Sequence, residues 1–181
     1  GSSVSASGTL TVSTGGGVVI GPPGPPGSAQ IVNVSIRTYI GTGENALTLG
    51  YVVGGSGEKP LLIRGVGPTL ASSYGVGGVL DRPQLTLFDS SSATLATNAG
   101  WAGDPALSGA FTAIGAFPFA DGSTDAAMVQ SLAANTSYTV GVSGVNGTTG
   151  VALAEIYDAN PASGSRLVNI SARGYSGTDS N

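Results

Sequence analysis

One stretch occurs twice in this chain, and it limits the folds open to it. Residues 31–45 read IVNVSIRTYIGTGEN, and residues 167–181 read LVNISARGYSGTDSN. Aligned without a gap, the two share Val, Asn, Ser, Arg, Tyr, Gly, Thr and Asn at matching places. Each copy alternates. Val32, Val34 and Ile36 fall on one face, with Asn33, Ser35 and Arg37 on the other. Val168, Ile170 and Ala172 repeat the apolar face, and Asn169, Ser171 and Arg173 the polar one. Alternation of this length is the period of a half-buried β-strand. Two like strands either occupy two equivalent places in one sheet, or one copy takes the other's place in a neighbouring molecule. The second option makes an assembling protein.

A second alternating stretch precedes the first copy. In residues 3–20, Val4, Ala6, Leu10, Val12, Val18 and Ile20 share one face with small residues and Thr, while the other positions are mostly Ser, Thr and Gly. This predicts a long strand, either an edge strand of its own domain or a donor strand for another subunit's sheet. Residues 21–27, GPPGPPG, separate it from the strand at 31–40. Pro22, Pro23, Pro25 and Pro26 favour polyproline II and cannot donate to a ladder. Seven such residues reach roughly 22 Å. The segment reads as a stiff linker between an arm and a body, or as a short collagen-like contact if three chains meet there.

The expected organisation is therefore an N-terminal strand arm at 1–20, a linker at 21–27, a body at 28–158, and at 159–181 a second linker with the terminal strand. Within the body, strands are expected at 31–40, 47–54, 60–66, 84–89, 93–97, 126–132, 137–144 and 150–158. VNGTTG at 145–150 is expected as a hairpin turn. GPTLASSYG at 67–75 reads as a loop with one helical turn at most. Asp104-Pro105 is an N-cap signal, and ALSGAFTAIGAF at 106–117 is the one short helix expected. Many short strands with Gly-rich turns predict an all-β fold, an antiparallel sandwich or jelly-roll-like body with an extended N-terminal arm.

Composition narrows function more than fold. The chain has 181 residues, room for one domain with some chain left over. Only 9% are charged, against about a quarter in an average domain. The surface must be covered by Ser, Thr, Asn and Gly, which favours an extracellular, cell-surface setting. Six basic residues and a net charge of −4 argue against nucleic acid, which needs clustered Lys and Arg. No apolar run approaches the roughly 18 residues of a membrane helix, so no membrane insertion is expected. Cys and His are absent, which excludes thiol catalysis, disulfides, His-based metal sites and a Ser–His dyad.

Several body segments carry a resemblance: LVNxSxR, GTGEN, GYVVGGSGEKPLLIRGVGPTLASSYGV, LDRPQLTLFD, NAGW, DAAMVQSL and SYTVGVSGVNGTTGVALAEIYD. Over about 30–158 the chain resembles an uncharacterised β-rich repeat domain of large secreted and surface proteins of environmental bacteria. The resemblance implies surface display and no particular reaction. In tandem members one repeat runs straight into the next through an R-L-V-N-x-S-x-R-G opening, and Arg166–Asn181 reads as such an opening. That segment and the arm, which lies outside the match, are what suggest polymerisation.

Candidate chemistry is thin. Asp121 and Asp125 in DGSTD could take Ca²⁺ through oxygen ligands, or form a polar turn. Asp104, Asp121, Asp125 and Glu155 could supply a glycosidase pair, though nothing marks a cleft. Arg37, Arg64, Arg82 and Arg173 lie in or beside strands and are expected to bond carbonyls or Asp partners. Lys59, the only lysine, is expected at a rim, with a Lys–Asn crosslink as the sharper alternative. Trp101, Tyr157 and Phe88 are expected in the core, a sugar-stacking Trp101 being the other reading. Asn33, Asn135, Asn146 and Asn169 each open an N-x-S/T sequon. The expectation is a non-enzymatic structural subunit of an extracellular filament, without cofactors, whose partners are copies of itself. Assembly would run through the apolar faces of the arm and the terminal strand. The alternative is a monomeric carbohydrate- or Ca²⁺-dependent adhesive module with surface glycans as partners.

Overall fold

The computed structural model describes residues 30–175 and the backbone of 9–14. The chain is mostly antiparallel β-structure. Its strands are Thr9–Thr14 (β1), Ile31–Ile40 (β2), Leu47–Gly55 (β3), Glu58–Val66 (β4) and Pro83–Phe88 (β5). They continue with Thr94–Asn98 (β6), Ala126–Ala133 (β7), Thr136–Gly144 (β8), Gly150–Asp158 (β9) and Ser165–Arg173 (β10). Hydrogen bonding runs β6-β5-β8-β3-β10-β2-β9-β4-β7, with β1 added to β2.

This order explains why the short connections are not all hairpins. β2, β3 and β4 lie close together in sequence, yet none of them pairs with the next. The chain steps from one half of the sheet to the other through 41–46 and back through 56–57. Residues 145–150, expected as a hairpin turn, make the same kind of crossing: β8 pairs with β3 and β5, whereas β9 pairs with β2 and β4. β5–β6 is a hairpin. The two halves face each other, and the ends of the path approach where β6 meets β7. The sandwich is therefore one continuous sheet, bent until it nearly closes. β10 and β2 supply the joint between halves, through the single bridge Leu167↔Ile31.

The alternating apolar positions of both halves fill the space between them. Leu47, Leu49, Tyr51 and Val53 of β3 meet Val34 and Ile36 of β2 and Ile156 of β9 in one buried cluster. A second cluster lies on the outer face of β4, β7 and β9, where Leu62, Val66, Ala127 and Tyr157 are covered by helices. Two α-helices occur among the described residues. Pro68–Tyr74 (α1) is a helix of 7 residues where the sequence predicts a loop with one helical turn. Pro opens it, Gly75 at φ 67° closes it, and Asp125, from just before the distant strand β7, caps it. That last contact is tertiary and leaves no local signal. Pro105–Ile114 (α2) starts where Asp104 Oδ1 accepts from Ala106 N at 2.8 Å. It ends at Gly115, whose φ of 73° suits a left-handed cap. Its Leu107 and Phe111 lie one turn apart and are both buried.

Candidate functional site

The edge where the arm lies is the feature with the clearest functional content. β1 runs antiparallel to β2, from Thr9↔Arg37 through Val12↔Val34 to Thr14↔Ile31. β2's other edge is taken by β9, from Asn33↔Tyr157 to Ile40↔Gly150. Of the arm residues singled out from sequence, Leu10 and Val12 fall within β1. Val4, Ala6, Val18 and Ile20 lie outside the described residues, as do linker residues Pro22, Pro23, Pro25 and Pro26.

The terminal strand is built into the body's sheet. β10 runs antiparallel to β3 from Ser165↔Gly55 to Arg173↔Thr48. Close approach at the start of this ladder depends on glycine: Gly55 has φ 100°, and a Cβ there would sit 2.2 Å from the Gly164 carbonyl oxygen. The ladder slips by one residue between Leu167 and Asn169, a β-bulge. The slip corrects the expected faces. Val168, expected buried, is 46% exposed, and its neighbour Leu167 takes the core position at 2%. After the bulge Ile170 packs half-buried against the core, while Ala172, also expected buried, is exposed. Asn169, Ser171 and Arg173 are exposed. The aligned tyrosines of the two copies, Tyr39 and Tyr175, touch with ring centroids 5.8 Å apart.

Lys59 and Arg64 have structural duties, whereas Arg37, Arg82 and Arg173, expected to bond carbonyls or Asp partners, are exposed. Lys59, expected at a rim, is fully buried. Its Nζ donates to Asp158 Oδ1 and Oδ2 at 2.8 and 2.7 Å and to the Asn160 carbonyl at 2.9 Å. Arg64 is also fully buried. Its guanidinium lies 4.2–4.7 Å from the centroids of Phe111, Phe117 and Phe119 and donates to the Phe117 carbonyl at 2.8 Å. Arg64 Nε stands 3.1 Å from Glu155 Oε2, but among the described residues neither atom has a directed hydrogen bond, so the contact is an ion pair only. Burial lowers the Arg64 pKa, against the opposing effect of Glu155. Glu155 Oε1 accepts from Ser35 and Tyr157 at 3.0 and 2.8 Å. Burial, then the Glu155 charge, pushes the Tyr157 phenol well above its ordinary value.

The candidate acid residues are dispersed among other tasks. Asp104 caps α2, and Asp125, fully buried, accepts from Gly67 N, Thr69 N and the Thr69 hydroxyl. Asp121 is exposed in a turn. Among the described residues no three His, Cys, Asp or Glu side chains gather at one point. Trp101 and Tyr157 are buried, Trp101 donating from Nε1 to Ser123 Oγ at 3.1 Å; Phe88 is half-buried. One cleft of about 450 Å³ lies between β2 and α1, lined by Ser35, Arg37, Tyr74 and Phe117. No helix among the described residues is long and apolar enough to cross a membrane.

Comparison with protein-family models, with curated proteins and with solved structures found no match. Sequence reasoning misses the buried lysine and the arginine–aromatic cluster. A lone Lys flanked by strand residues in so charge-poor a chain is the available signal for the first. The cluster joins β4, β9, α2 and the 115–120 loop, which no local pattern connects.

Proposed function

We propose that this protein is a structural, non-enzymatic subunit of an extracellular filament and that its copies join by β-strand exchange. The observation that carries the reading is the ladder of β1 on β2. A closed hairpin needs the ends of its two strands about 5 Å apart, and about two to five residues suffice to connect them. Here residues 15–30 intervene, and they include GPPGPPG. The roughly 22 Å reach expected of GPPGPPG from its sequence suits a spacer better than a hairpin loop. The same ladder made between molecules keeps every backbone bond, which is the economy of domain swapping. The charge-poor surface and the resemblance to surface repeat domains support placement outside the cell.

The test is electron microscopy of the intact chain beside a variant lacking residues 1–20. Filaments from the first and folded monomers from the second are expected. Normal filaments from the variant would remove the arm from the account. The adhesive-module alternative has one observation in its favour, the cleft with Arg37 and the exposed Tyr74 ring, and binding to an array of acidic glycans tests it.

A further inference from the structure

The two ladders at this edge correspond residue for residue. On β2, Arg37, Ile36, Ser35, Val34, Asn33 and Ile31 face Thr9, Leu10, Thr11, Val12, Ser13 and Thr14. On β10 the aligned Arg173, Ala172, Ser171, Ile170, Asn169 and Leu167 face Thr48, Leu49, Gly50, Tyr51, Val52 and Val53. Both ladders skip the same residue of the repeat, Val32 in one and Val168 in the other. A bulge at the same position in both copies means that the two strands share a local backbone geometry as well as a sequence. The strands laid on the two copies also match in sequence: TLTVSTGG at 9–16 beside TLGYVVGG at 48–55. The arm is thus a partial copy of β3, as β10 is a copy of β2.

We infer that copies of this chain join head to tail by exchanging these matched ladders, so that the arm of one copy seats on β10 of the next. This junction rests on the filament reading and specifies how its subunits meet. Before exchange, one copy holds β3 on β10 and its neighbour holds β1 on β2. After exchange, β3 of the first copy holds β2 of the second, and β10 of the first holds the arm of the second. Two ladders are opened and two are made, each in the register already used. Hydrogen bonding is preserved, so the balance is set by chain concentration against the advantage of intramolecular pairing. Each copy uses a different end for each neighbour, so the contact is heterologous and repeats without closing, as a polar filament requires. Of the aligned apolar positions, Ala172 of β10 is exposed where Ile36 of β2 is buried.

The chain has no cysteine, so single-cysteine variants report the junction. Paired Cα atoms in an antiparallel ladder lie within disulfide reach. Full-length Ser13→Cys and Asn169→Cys chains are refolded together, concentrated, mildly oxidised and run on a non-reducing gel. Asn33→Cys with Val52→Cys is treated alike. Both mixtures should give mixed disulfide dimers in the assembled fraction and none in the monomer fraction. Ser13→Cys with Asn33→Cys should give no dimer across chains. Dimers from that last mixture alone would show the arm passing to a neighbour's β2, overturning this junction while leaving the filament reading intact. Polymers with no cross-chain disulfide in any mixture would overturn it too. Absence of polymer altogether would overturn the filament reading and this junction with it.

Discussion

Tyr51 is the buried polar group with least to hold it in place. Its hydroxyl has no hydrogen-bond partner among the described residues, and its ring stacks on Tyr138 at 5.9 Å. Burial, then the Tyr138 charge, pushes its pKa well above the ordinary value near 10. Leaving a buried hydroxyl unpaired costs about 1–3 kcal/mol. Tyr51→Phe should therefore hold or raise stability in urea unfolding. The pH dependence has a definite sign. Above about pH 10 the unfolded chain releases phenol protons that the folded chain retains at Tyr51 and Tyr157. Their contribution is complete below about pH 10 and falls as pH rises beyond it. Alkaline melting curves should show that fall, and it should be shallower in Tyr51→Phe. Arg64 is a different case, a buried cation whose partner depends on it. Arg64→Ala leaves a buried carboxylate without its ion pair and empties a cage of three rings, so a loss of about 3–5 kcal/mol is expected. Thermal unfolding measures it, and an unchanged midpoint would show that the ion pair and the ring cage add nothing to stability.

At the level of elements, β10 sets the sharpest contrast. Ile170 faces the core beside Tyr51, so Ile170→Asp puts an ion among apolar groups and should destabilise strongly. Ser171→Asp on the exposed face should be mild, and so should Val168→Asp, because the bulge turns Val168 outward. Circular-dichroism melts separate the three; a severe Val168→Asp would place that side chain in a buried contact. This contrast also marks what sequence can carry. Alternation locates strands such as β3, β5 and β8 nearly to the residue, because each buries one face. A bulge adds one residue without altering composition, so alternation alone puts Val168 in the wrong environment; Ala172 keeps the face of Ile170 and is exposed at the strand's end. The crossing at 145–150 escapes notice because a Gly-rich turn reads alike whether it joins neighbours or changes halves. The likeness of the arm to β3 is faint in sequence and decisive only once both ladders show the same register.

For the whole molecule, the arm and β10 each imitate another strand of the sheet they join. Assembly held by backbone ladders and small apolar side chains should depend little on ionic strength, since only 9% of residues are charged. Light scattering of preformed polymer should change little between about 50 mM and 500 mM salt, well past the range where surface ion pairs are screened. Collapse of the signal would point to charge contacts instead. The most direct measurement of the central claim is negative-stain electron microscopy of the intact chain over a rising concentration series. The account predicts unbranched filaments that appear above a threshold concentration and lengthen beyond it. Dispersed single bodies at every concentration would contradict it.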